Sequence, residues 1–211
     1  MGYCKSVCSY ILFIILDISG MKYVGVILCL LMIAKTNGQD ALPPAKFMGI
    51  EMSVGIKAFK RELEKKGMEF LSESEFHRFR GNFSGQSAEI SVSGNDKHII
   101  AVIVDFTDES NWQPLKMEYI RYKKQLSLKY GDPYEEVEEF LSPYEDGHNE
   151  MLAIDKGKFT YRSKFKQTGT NGVVALAIHR SYFGSNEGHV SIVYANMSAW
   201  EEKVSDDYGD L

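Results

Sequence analysis

The chain has 211 residues, of which 44% are hydrophobic and 25% charged, the balance of an ordinary globular protein with one domain or two small ones. That balance excludes a largely disordered chain, a collagen-like repeat and a multi-span membrane protein. A formal net charge of −5 argues against a general nucleic-acid binder.

Two apolar runs open the chain, Tyr10–Leu16 and Tyr23–Ala34, interrupted by Asp17 and Lys22. Neither reaches the roughly 20 residues that a helix needs to cross a bilayer. The second run predicts a secretory signal, with Met21-Lys22 as start and positive end, Tyr23–Ala34 as apolar centre and Thr36-Asn37-Gly38 as cleavage site. On this reading Met21 is the initiator and residues 1–38 are a leader; the alternative is an N-terminal anchor built from both runs. Cys4, Cys8 and Cys29 all lie inside the leader, so the exported part would hold no disulfide, thiol nucleophile or Cys-ligated metal. Lipid attachment at Cys29 is disfavoured, because Leu28 stands where a lipobox has a small residue. Loss of Lys5, Lys22, Lys35 and Asp17 would leave 21 basic against 28 acidic residues, a more acidic and soluble chain. Periplasm or cell surface is the expected location.

Residues 39–45 contain Pro43-Pro44 and predict a short linker. A helix is expected near Val54–Lys66, where Ile56, Phe59 and Leu63 make one apolar face, Ser53 caps the start and Gly67 the end. Three strands follow: His77–Phe83, Ser87–Ser93 and His98–Phe106, the last apolar on both faces and therefore central. Trp112–Tyr130 predicts a long helix with a stripe of Trp112, Leu115, Tyr119, Tyr122, Leu126 and Tyr130, capped by Asn111 and stopped by Gly131 and Pro133. Strands are then expected at Glu150–Asp155, Lys158–Lys166, Gly172–Arg180 and His189–Met197, with Glu135–Leu141 a further candidate of unusual acidity. Residues 198–211 form an acidic tail, expected to fray from Glu201.

Phe59, Leu63 and Lys66 match Tyr122, Leu126 and Lys129 at an offset of 63 residues. The fold class that follows is α+β: two helix-plus-antiparallel-sheet units, about 46–108 and 109–197, forming one layered domain. The arrangement resembles small exported bacterial α+β modules. It is similar at fold level to the tandem-repeat beta-lactamase inhibitor protein and to the small lipoprotein of the outer-membrane barrel assembly machinery. Phe47-Met48-Gly49-Ile50, the Leu63…Lys66-Gly67-Met68 helix end and the Lys129-Tyr130-Gly131-Asp132-Pro133 turn look like those of uncharacterised exported proteins of gut bacteria. The resemblance implies a fold over residues 46–197 and carries no site residues. The lipobox and the inhibitor's disulfides are missing, so anchoring and enzyme inhibition do not transfer.

No phosphate-binding glycine loop, dinucleotide fingerprint or H-E-x-x-H motif occurs, and no cofactor is implied. Gly81-Asn82-Phe83-Ser84-Gly85 is not a nucleophile elbow, and Ser84 reads as a turn residue. His179 and His189 end and begin neighbouring strands, so a hairpin brings them together; with Asp155 or Glu187 they could hold a metal, though two polar strand ends is the simpler reading. Asp105, inside an apolar strand, is the best single acid–base candidate. Burial there would need a partner, for which Arg78 or Arg80 is available, and His77 or His98 would complete a catalytic cleft. The aromatic stripe, with Tyr161 and Phe165, reads as core.

Alternation on Lys158–Lys166 sends Lys158, Arg162, Lys164 and Lys166 to the side opposite Phe159, Tyr161 and Phe165, and Arg78 and Arg80 do the same on their strand. These six basic residues suggest a surface for an acidic protein patch or lipid phosphates, with peripheral membrane contact allowed. The bland alternative pairs them with Glu135–Glu139. The leading expectation is a non-enzymatic exported binding module that recognises a protein or anionic envelope component through a sheet face. Its rivals are a hydrolase or metal-dependent enzyme using Asp105 and histidines, and a small-ligand carrier with a pocket under the long helix.

Overall fold

The computed structural model of the chain describes residues 42–144, 148–181 and 186–208, and the unit described begins at Pro43. The expected leader lies outside these residues. A hairpin of β1 (Lys46–Phe47) and β2 (Ile50–Glu51) leads to α1 (Ile56–Lys65), then β3 (Glu69–Glu73), β4 (His77–Phe83), β5 (Gln86–Gly94) and β6 (Ile99–Asp105). There follow α2 (Trp112–Tyr130), β7 (Glu135–Phe140), the short α3 (Glu150–Asp155), β8 (Phe159–Lys166), β9 (Gly172–Arg180), β10 (Gly188–Asn196) and α4 (Met197–Tyr208). Strands β3 to β10 make one antiparallel sheet of eight in the order β3-β4-β5-β6-β10-β9-β8-β7. The expected α+β class is what the chain adopts.

The sheet is centred on β6 and β10, which pair from Ser191↔Asp105 to Ala195↔Ala101. All of β10 and all of β6 but Asp105 are buried, which is why β6 reads as an unbroken apolar run from Ile99 to Val104. One sheet face packs on α1 and α2. Phe59 and Leu63 of α1 and Leu115, Tyr119 and Tyr122 of α2 enter this core. Phe106 stacks on Tyr122 at 4.3 Å, and Tyr161 meets Trp112 edge-on at 5.0 Å. The buried hydroxyls are satisfied: Tyr119 shares a 2.8 Å hydrogen bond with Ser163, and Tyr122 donates to Gln86 at 2.9 Å. The expected stripe thus packs under α2, with Tyr130, its last member, half-buried.

Helix ends follow local chemistry. Gly131 adopts φ +86 and donates its N–H to Ser127 at 2.9 Å, closing α2 as expected. Asn111 occupies the N-cap position without a side-chain bond. At α1 the cap is Gly55, not Ser53. A Cβ at Gly55 would lie 2.1 Å from the Asp96 carbonyl oxygen, and the Ile56 N–H donates to Asn95 instead. The turn between β5 and β6 therefore does the capping.

Four sequence expectations are corrected. Glu150–Asp155 is helix rather than strand: Ala153 and Ile154 are both buried, so the segment cannot alternate, and Ala153 donates back to Asn149 at 2.9 Å. Strand β3 joins the three expected strands, held by the Phe70 ring edge-on to Phe79 at 5.5 Å. The tail is helical through Tyr208 rather than frayed, because Ala199 and Trp200 are buried and Glu202 lies within 3.9 Å of Lys97 and 3.7 Å of His98. Finally, Pro43 to Ala45 is no free linker. Asn171 donates its N–H to Pro43 and accepts from Ala45 through its side chain, while the Gln167 amide both accepts from and donates to the Lys46 backbone.

Candidate functional site

Strand register decides which side chains share the sheet face turned away from α1 and α2. Arg80 pairs with Glu89, Glu89 with Asp105, Asp105 with Ser191, Ser191 with Ala177 and Ala177 with Arg162. Cα partners lie on one side of a sheet. All six expected basic residues therefore stand on this face, Arg78 and Arg80 on β4 and Lys158, Arg162, Lys164 and Lys166 on or beside β8. They form two separate groups, because β5, β6, β10 and β9 intervene; five strand spacings amount to about 24 Å.

The two groups differ in exposure. Arg162 and Lys164 are buried and both bind Glu135 of β7, at 2.7 and 2.9 Å. This is the role of the acidic strand β7 on this face; on the other, Lys123 of α2 pairs with Glu136 and Glu138. Lys158 and Lys166 are exposed, and the Lys166 ammonium stands 5.7 Å from the Tyr134 ring. Arg78 pairs with Glu89, whereas Arg80 is 59% exposed and reaches Glu89 only at 4.0 Å.

Between the groups, at one end of the central strands, lies a polar cluster. His189 donates from Nδ1 to Asp108 at 3.0 Å, and its Nε2 is 3.7 Å from Asp105. The Ser191 hydroxyl donates to Asp105, and Ser181 donates to the other oxygen of Asp108 at 2.8 Å. A backbone bridge between Glu109 and Gly188, with bonds of 2.7 and 3.0 Å, holds Asp108 in place. Gly188 is required there, since a Cβ would come 2.8 Å from the His179 carbonyl. The expected histidine pair is real: His179 faces His189 across β9 and β10, with ring centroids 5.9 Å apart. Burial, then the charge of His189, pushes His179 down to about 3. Burial pushes Asp105 up, relieved by His189, Ser191 and Arg78 in that order.

Asp105 is thus partnered, but by groups from β10 rather than by the arginines of β4. Arg78 spends its guanidinium on Glu89, one strand nearer. His98 stands at the far end of β6, and His77 lies 3.5 Å from Glu73, so neither joins Asp105. Asp155 is tied to Arg180 at 3.2 Å and Lys156 at 3.1 Å rather than to the histidine pair. Among the described residues, no group of three or more His, Cys, Asp or Glu side chains is arranged to hold a metal ion. His189 and Ser191 are 3% and 0% exposed, while the Asp105 and Asp108 side chains are partly exposed, so the cluster ties β6, β9 and β10 together with its carboxylates at the surface.

No protein-family model, curated protein or solved structure matches this chain. No helix among the described residues is long and apolar enough to cross a membrane.

Proposed function

We propose that the chain is an exported, non-enzymatic binding module that recognises a protein or anionic envelope component through the sheet face turned away from α1 and α2. One observation carries the reading: six basic side chains share that face, and Arg78, Arg80, Lys158 and Lys166 reach solvent there in a chain of net charge −5. Arg162 and Lys164, buried and held by Glu135, brace the β8 side of the face and leave the contact to the exposed cations. Export is supported by the apolar run before Gly38 and by the confinement of cysteine to positions 4, 8 and 29.

The succession of a helix and four strands, α1 with β3–β6 and α2 with β7–β10, supports a tandem origin of the two halves, meeting at β6 and β10. It is the arrangement that the likeness to exported bacterial modules implies.

Charge reversal tests the reading. Arg80→Glu with Lys166→Glu is expected to weaken capture of envelope material by about thirtyfold or more at low salt, since each surface charge contributes about 1 kcal/mol against an anionic partner. Both side chains are exposed, so urea unfolding of the variant should match the parent. Unchanged capture by a folded variant contradicts the proposal.

A further inference from the structure

Helix α2 is apolar on two opposite sides. Its inner face is the stripe of Trp112, Leu115, Tyr119, Tyr122 and Leu126 packed on the sheet. On the outer face Met117, Ile120 and Leu128 are 69%, 45% and 81% exposed, three of the seven large apolar side chains that the described residues leave at the surface. At 100° per residue these three fall within about 80° of one another, directly opposite Leu126. Lys124 lies in the same strip and is exposed; Arg121 and Lys116 flank it on either side, Arg121 reaching Glu118 at 3.4 Å and standing over the Tyr122 ring at 4.5 Å. The helix carries five basic residues and one acidic one, Glu118, within a net acidic chain. By contrast α1 turns Lys57, Arg61, Glu64 and Lys65 outward and leaves no large apolar side chain exposed.

We infer that the outer face of α2 docks on an anionic lipid surface, with Met117, Ile120 and Leu128 entering the headgroup layer and Arg121 and Lys124 meeting lipid phosphates. The partner follows from the chemistry of the strip. Apolar and cationic side chains alternate along about 16 Å of a convex helix, the pattern of an interfacial helix whose basic side chains snorkel upward. A second copy of the chain fits poorly, because antiparallel pairing of two such strips would bring Arg121 and Lys124 of both copies into one seam. The inference does not rest on the sheet-face reading; it uses a different surface.

Leu128→Trp in the full chain supplies a local reporter, since position 128 is exposed while Trp112 and Trp200 are buried. Its emission should shift to the blue on vesicles of phosphatidylglycerol and phosphatidylcholine and stay unchanged on phosphatidylcholine alone. Adding Arg121→Gln and Lys124→Glu should raise the lipid concentration at half-shift about tenfold or more. Arg80→Glu with Lys166→Glu should leave this shift intact, which separates failure of this inference from failure of the sheet-face reading. No shift, an equal shift on both vesicles, or a shift that follows protein concentration without lipid overturns the inference, the last in favour of a second copy. A shift produced by an acidic protein but by neither vesicle also overturns it.

Discussion

Phe47→Ala is expected to destabilise the protein by about 3–5 kcal/mol, the range for emptying a buried phenylalanine site. Its ring is wholly buried and touches three elements. It stacks on Phe83 of β4 at 5.7 Å, meets Tyr194 of β10 edge-on at 5.0 Å and tilts against Phe59 of α1 at 6.4 Å. Strand β1 itself is two residues long and makes too little ladder to hold this segment. The ring and the Gln167 clamp on Lys46 fix it instead. Urea unfolding at neutral pH measures the loss; a value below about 1 kcal/mol would mean that the hairpin is an ornament on a core that closes without it.

Lowering the pH from 7 to 5 is expected to cost about 1–2 kcal/mol of stability through His179. Burial holds this imidazole neutral in the folded protein, with its titration pushed down to about 3, against an ordinary value of 6.5 in the unfolded chain. A group depressed by folding contributes stability above the unfolded value, and that contribution drains away as pH falls toward the folded one. The limiting slope is about 1.4 kcal/mol per pH unit. The titration begins only below the unfolded value of 6.5, which keeps the expected loss below the limit that slope allows over two pH units. Asp105 acts in the opposite sense: raised by burial, its contribution is present at low pH and is lost as pH rises above the unfolded value of 3.8. His179→Gln should therefore flatten the dependence between pH 7 and 5, while Asp105→Asn should leave it standing. Equal losses in the parent and in His179→Gln would assign the pH dependence to other groups.

What could be read from the sequence followed from periodicity. Helices α1 and α2 are legible through stripes at spacings of three and four, and β6 through an unbroken apolar run. The hairpin that brings His179 to His189 was legible because both lie beside one turn. Long-range pairing was not. Asp105 meets Ser191 only because β6 joins β10, residues 86 apart in sequence, and alternation within one strand carries no information about which strand lies next to it. For Arg162 and Lys164 the alternative of pairing with Glu135–Glu139 is what the structure shows, on Glu135; their burial is what alternation within β8 could not reveal. Short or charged elements were misread for a related reason. In α3, Ala153 and Ile154 are too few to show a period, and the acid-rich α4 is fixed by Ala199, Trp200 and Glu202, whose partners belong to other elements. The outer strip of α2 was in the sequence throughout, but a helix that is apolar on two sides reads as one stripe until burial tells Met117 from Leu115.

The sheet-face reading is tested most directly by placing a photo-crosslinking amino acid, one position at a time, at Arg80, at Lys166 and at Lys57 in cells that produce the full chain. Arg80 and Lys166 mark the two exposed flanks of the face, and Lys57 marks the outer side of α1. The account predicts that Arg80 and Lys166 yield the same discrete adduct and that Lys57 yields none. Adducts from Lys57 equal to those from the sheet face, or none from the sheet face, would contradict it.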